Sequence, residues 1–581
     1  MKKVFALLLA LCMVLSMAAC GNSAAAQSAS EADTVAESAV QESAEEAPAE
    51  EPAPAEEEAE APEASAAEEA ASAVEEEPVE EAVELLEPLS YPVGDGTQTL
   101  TYWYCYPPFV PNFLDDVSDK EIYRAIDEAA GVDIQVVGYS LVNASEQFQL
   151  MIASGDYTDI IYSFGSNYSG SIEGAIEDDI IIDLAPYMEE YAPDYTNYLL
   201  SDEEVNLAVH TDAGYVPAFA GINDEGRSVS GGLIIRTDFL DAVGLEMPRT
   251  YDGMEEVLKA FRDELDLEIP YWSNPSGYVI EMTGGYGVGI SFYVDDGVVK
   301  YGAYEDGFRD YMEMMNRWYD EGLLYHDFAS QSSTQQFPES DLVNNNKVGI
   351  WYNSLNEMSQ YTNETSTDPN FTISGLYVPA QNEGDTTHFS TISDKVQVNS
   401  GNFISSTCED VELAMAWCNY WYTDEGTLLA NYGIEGESWE YDADGNPQFT
   451  DLIVNNPDMA FDITISVYCE FNGGGYYVLN AKTDGNYTDV QLEARSHWLE
   501  NADTICNYPG YAALNADESA IYGERIGDID TYLDEAVLKF ITGAEELNDE
   551  NWAAYKEALD SFGLQDCIEV YQSAYDRYLA R

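Results

Sequence analysis

Basic residues are the scarcest component of this chain: 21 Lys and Arg stand against 110 Asp and Glu, a formal charge of −89 over 581 residues. Nucleic-acid binding depends on neutralising phosphates with those residues, so that class is excluded, and anionic lipid surfaces are disfavoured by the same repulsion. The four histidines, His210, His326, His388 and His497, stand apart from one another and from cysteine, which leaves no zinc-ligand spacing and no expected metal or other cofactor. Beyond the N-terminal segment the cysteines are Cys105, Cys408, Cys418, Cys469, Cys506 and Cys567, with no CxxC among them. Scattered buried thiols are the first reading, and one or two disulfides the alternative in an exported protein. HExxH, GxSxG and GxxxxGK are absent, and no later run approaches the roughly 20 apolar residues of a membrane-spanning helix.

What is present begins with a secretory leader. Met1-Lys2-Lys3 is a basic start, residues 4–16 are apolar, and Met17-Ala18-Ala19 are followed by Cys20. This junction resembles a lipobox, which makes Cys20 the expected lipidated first residue and tethers the mature chain to the outer face of a membrane. Residues 21–90 are almost entirely Ala, Glu, Pro and Ser, without a basic or aromatic side chain, so they cannot bury enough surface to offset ordering. They read as a disordered tether that spans about 45 Å as a flexible coil.

From residue 98 the pattern is that of an α/β protein. The run TLTYWYCY is an aromatic strand halted by Pro107-Pro108, a helix is expected over 118–130 with Gly131 after it, and VDIQVVGY is a second strand, so the three form a βαβ unit. The stretch 399–451 is the most informative. Ser406 and Glu409 have capping-box spacing, Leu413, Trp417 and Trp421 recur every four residues on one helix face, and Gly433 follows a second helix that begins near Thr423. Asp442-x-Asp444-x-Asn446 has Pro447 and Ile453 where a calcium loop needs Gly and Glu, so a hairpin turn is the better account.

The ordered run YGIEGESWEYDADG after TDEG, together with ASGDYTDII, the segment from Ile235 to Thr250 with Phe239 where a Trp is common, GLLYHDF and the C-terminal KFITGAEELNDENWAAYKEAL, resembles extracellular solute-binding proteins of family 1, of the LplA/YtcQ-like subgroup of lipoproteins that serve carbohydrate ABC importers. The resemblance implies a type II periplasmic-binding-protein fold with two lobes, a ligand cleft and a helical C-terminal part. It places lobe one at about 91–219 and 371–432, lobe two at about 236–370, and the helical part at about 433–581, packed on both.

Sugars present apolar C–H faces and rings of hydroxyls, which aromatic planes and paired polar groups match. The candidates at expected strand ends are Trp103, Tyr104 and Tyr106; Tyr162, Phe164 and Asn167; Tyr271 and Trp272; Trp351 and Tyr352; and Glu437 and Trp439. Tyr162 and Trp351 match strand-end aromatics of the family, while for any one candidate the alternative is a place in the core. Trp318, Trp417 and Trp421 are expected to be core. The functional expectation is a membrane-anchored, monomeric, extracellular protein, not an enzyme, that captures a carbohydrate, expected to be an oligosaccharide, by lobe closure and delivers it to ABC importer permease subunits. The alternatives are a secreted carbohydrate-active enzyme, for which adjacent acids such as Asp115-Asp116 give no specific signal, and a sensory receptor that presents its ligand to a membrane kinase.

Overall fold

Alternating apolar and aromatic residues make Thr99–Tyr106 the first strand, β1. The helix Glu121–Ala130 buries Ile122, Tyr123 and Ile126 and ends on Gly131, whose φ of 71° is the left-handed conformation that closes a helix cheaply only at glycine. The strand β2, Asp133–Ser140, then pairs parallel with β1 along its whole length, completing the expected βαβ unit. The computed structural model describes residues 84–581 apart from 225–228, 274–278, 332–336, 393, 460 and 471–473; the leader, Cys20 and the tether up to residue 83 lie outside the described residues. Two residues near the end of the expected tether are held by the folded part, where Leu86 N–H donates to Asn197 Oδ1 and Leu89 N–H to Asp194 Oδ2.

Along the chain follow β3 (Ile160–Tyr162), β4 (Phe219–Asn223), β5 (Gly231–Arg236), β6 (Ile269–Tyr271), the hairpin β7 (Phe292–Asp295) and β8 (Val298–Tyr301), β9 (Val348–Ser354), β10 (Ile373–Gly375), β11 (Val396–Ile404), the hairpin β12 (Trp439–Tyr441) and β13 (Pro447–Phe449), and β14 (Tyr477–Val478). One sheet has the order β14-β4-β11-β3-β1-β2 and a second the order β10-β5-β9-β6. Each carries helices and its own core, so the architecture is the expected two-lobe α/β fold. Among the described residues no helix is long and apolar enough to cross a membrane.

The path between the sheets differs from the expected division. The chain leaves the first sheet after β4 and returns to it at β11, so β10, placed by expectation in lobe one, pairs antiparallel with β5 in the second sheet. It leaves again after β14, and the helix Asp489–Glu500 packs on β10 and β5, with Trp498 Nε1 donating to Leu233 O at 2.9 Å. The C-terminal part therefore supplies both an edge strand of the first sheet and helices of the second lobe.

The helix expected to start at Ser406 starts later. Residues 405–410 turn first, Asp410 caps Val411–Tyr420 by accepting from Leu413 N–H at 3.2 Å, and Ser406 Oγ instead donates to Asp179 O. Trp318, Trp417 and Trp421 are core, as expected. The TDEG run has a steric explanation. Thr423 Oγ1 caps the helix Asp424–Tyr432 by accepting from Gly426 N–H at 3.0 Å, and a Cβ on Gly426 would overlap the Tyr420 carbonyl oxygen. Gly426→Ala is expected to lower stability by about 1–3 kcal/mol, the range for overpacking, read as a lower midpoint of chemical unfolding.

All six cysteines among the described residues are free, five of them buried.

Candidate ligand-binding site

The strands β1, β2 and β3 run parallel, so their carboxyl ends share one edge of the first sheet. Alternation sends Tyr102 and Tyr104 to one face and Trp103 to the other. Tyr104 lies 5.1 Å from the Tyr162 ring and 6.2 Å from Tyr123, while Trp103 packs on Tyr139 and Phe148. Tyr104 and Tyr162 are thus brought together, but both are buried. Around them Tyr104 O–H donates to Glu470 Oε2 at 3.1 Å and the buried Lys120 Nζ to Cys469 O at 2.9 Å. Burial pushes the Lys120 amine below the usual lysine range, opposed by the Glu470 carboxylate. Tyr106 is half-buried at the strand end.

Past β3 the chain turns sharply. Ser163 takes φ 57°, a left-handed conformation uncommon for a side-chain-bearing residue, and its N–H donates to Gly401 O at 2.8 Å. The partner is an irregularity in β11, where the register with β4 shifts between Gln397 and Asn402. Gly165 lies so close to this bulge that a Cβ would stand 2.8 Å from Asn399 Cα. Local strain and a bulge at a strand end are the usual means of aiming a short polar segment at a ligand. Within it Phe164 is core, stacked on Tyr168 at 4.8 Å, and Asn167 Nδ2 donates back to Ser163 O.

At this edge lies a cavity of about 320 Å³, within the size range of small-molecule sites. Ser166, Gln397, Asn399 and Ser400 line it from the turn and the bulge, and Tyr511, Asn515 and Arg581 from the C-terminal part. The two sides are tied by charge. Asp212 accepts from Arg577 Nε at 2.6 Å and from Arg581 Nε at 2.8 Å, Arg577 also forks onto Glu518 at 2.6 and 2.7 Å, and Tyr511 O–H donates to Glu204 at 3.2 Å. Burial pushes the Asp212 carboxyl upward, but the hydrogen bonds from Arg577 and Arg581 outweigh it and hold the group below the usual carboxylate range.

In the second sheet β9 turns Trp351 and Tyr352 to opposite faces. Trp351, expected to be presented at the strand end, is instead fully buried in a cluster with Trp272 and Tyr361. Tyr352 is half-buried, its ring nearly parallel to Phe337 at 6.2 Å. Tyr271 is buried edge-on against Trp318. Near Tyr271 and Tyr352 lies Glu281, a carboxyl only 4% exposed whose Oε2 has no hydrogen-bond partner among the described residues; burial pushes its pKa up to about 7. Glu437 and Trp439 belong to neither sheet edge. Glu437 is exposed, and Trp439, the first residue of β12, is packed with Tyr432 and its cross-strand partner Phe449, its Nε1 donating to Gly433 O. Asp442 Oδ1 accepts from Asp444 N–H and Asn446 N–H, closing the expected hairpin turn.

The cavity residues Asn399, Ser400, Tyr511, Asn515 and Arg581 were not among the sequence candidates. The only sequence signal for any of them is the Asn-Ser-Gly interruption of the strand VQVNSGNFI.

No protein-family model matches the chain. Lipoprotein LipO of Bacillus subtilis is 23% identical over 79% of this chain and 90% of its own length. The fructooligosaccharide ABC transporter substrate-binding protein FusA of Streptococcus pneumoniae is 22% identical over 85% of this chain and 93% of its own. Among solved structures, an alginate-binding protein, AlgQ2, crystallised without calcium superposes with a TM-score of 0.67 at 21% identity, over 82% of this chain and 98% of that one. These findings bear out the resemblance to extracellular solute-binding proteins read from the sequence, and the structural likeness bears out the two-lobe fold.

Proposed function

We propose that this chain, whose near full-length relatives include a substrate-binding protein of an ABC transporter, captures an oligosaccharide outside the cell and hands it to the permease subunits of an ABC importer. The observation that carries the proposal is the cavity where the first sheet's bulged edge faces the C-terminal part, on a fold shared with solute-binding proteins. Its amides and hydroxyls both donate and accept, as sugar hydroxyls do, and Tyr511 adds an aromatic plane. A ligand that touches both walls favours the arrangement in which they are close, and the importer is expected to recognise that arrangement. Anchoring through a lipidated Cys20, action as a monomer and the absence of catalysis belong to the same proposal.

The test is a thermal-shift screen of the mature chain against mono- and oligosaccharides, followed by calorimetry on the hits, because a ligand of the folded state raises the melting point by mass action. Saturable binding without product formation is expected. Asn399→Ala and Tyr511→Ala are each expected to weaken binding about tenfold, the loss of one hydrogen-bonding or stacking contact. A panel without a hit, or conversion of a bound saccharide into products, would overturn the proposal.

A further inference from the structure

We infer that the cavity selects neutral saccharides and turns away those that carry carboxylates. The inference rests on the carbohydrate reading above and narrows it. Among the described lining residues the carboxylates Glu173, Asp212 and Asp394 stand against one guanidinium, that of Arg581. That guanidinium is already engaged, with Nε on Asp212 at 2.8 Å and Nη1 on His210 O at 3.0 Å. The neighbouring Arg577 is engaged too, by Asp212 and by both oxygens of Glu518. Glu173 Oε2 accepts from Ala213 N–H at 3.1 Å.

A uronate carboxylate brings only acceptors and a full negative charge. Among the described lining residues it meets no Lys or Arg that is not already shared with an acid. A neutral ring, by contrast, brings hydroxyls that donate to a carboxylate and accept from an amide. The wider field acts in the same direction, since a chain with a formal charge of −89 repels anions over about a Debye length, some 8 Å at physiological salt.

The test is calorimetry of the mature, unmutated chain with length-matched series of neutral oligosaccharides (fructo-, malto- and xylo-oligosaccharides) and of oligogalacturonates, at low and at physiological salt. The expected result is saturable binding of a neutral series, with the acidic series at least tenfold weaker and the gap narrowing as salt rises. Glu173→Gln with Asp394→Asn is expected to narrow the ratio between the two classes at least threefold. Oligogalacturonates that bind as tightly as the neutral series, or a ratio indifferent both to salt and to the double substitution, would overturn the inference and leave the carbohydrate reading standing. Failure of both classes to bind would remove the carbohydrate reading and this inference with it.

Discussion

Asp238→Ala is expected to destabilise the second lobe by about 3–5 kcal/mol, the range for removing one partner of a buried ion pair. Arg236 at the end of β5 is fully buried and forks onto Asp238, with Nε to Oδ1 at 2.8 Å and Nη2 to Oδ2 at 2.7 Å. Its guanidinium is sandwiched between Phe239 at 3.8 Å and Phe371 at 4.2 Å. Without the carboxylate a full charge remains in an apolar slot, where Nη1 already lacks a partner among the described residues. Adding Arg236→Met to Asp238→Ala is expected to recover most of the loss, because the flat aromatic slot accepts a linear apolar chain and no charge is then stranded. Chemical unfolding of the two variants, followed by tryptophan fluorescence, measures both effects. Equal losses in the single and double variants would show that packing rather than charge dominates the site. The pair also explains the run from Arg236 to Phe239 in the family wording: it brackets the turn from β5 into the helix Thr237–Val243.

The second large effect concerns pH. Burial lifts the Glu281 carboxyl from an ordinary 4.5 to about 7. Between those values the unfolded chain releases this proton while the folded chain keeps it, so stability falls as pH rises from 4.5 to about 7 and levels off above. At about 1.36 kcal/mol per pKa unit, the group costs the folded state roughly 3 kcal/mol at and above neutral pH relative to pH 4.5. In Glu281→Gln that slope is expected to vanish. Stability measured as variant minus parent should rise by about 3 kcal/mol from pH 4.5 to 7.5, whatever constant offset the amide introduces. A difference that stays flat across this range would place the titration of Glu281 elsewhere.

The local architecture was readable because short-range chemistry specified it. A strand stopped by two prolines, a helix ended by Gly131 and the parallel partner β2 lie within forty-odd residues and appear as expected. Long-range pairing was not readable. The three residues of β10 and the two of β14 carry no pattern of their own, and their sheet is decided by partners far away in the chain, so β10 pairs in the other lobe from the one expected and β14 lies in a part expected to be mostly helical. The site divided along the same line. Alternation separates Tyr104 from Trp103, but period two cannot say which face is filled, and Trp351, expected at a strand end, lies on a filled one. Aromatic counting also leads away from the cavity, whose walls combine aliphatic residues with amides, hydroxyls and carboxylates, and whose Arg581 arrives from the opposite end of the chain.

The position of β11 between β3 and β4 has a consequence for biogenesis. The central layer of the first lobe cannot close until residues some 240 positions downstream of Tyr162 have been delivered, and its outermost strand waits for Tyr477–Val478. Under the proposed export, amino-terminus first, the chain would reach the far side of the membrane with this layer unfinished for most of its transit, its apolar strands still without neighbours. Nascent-chain truncations that stop before residue 404 should accordingly remain protease-sensitive throughout the first lobe.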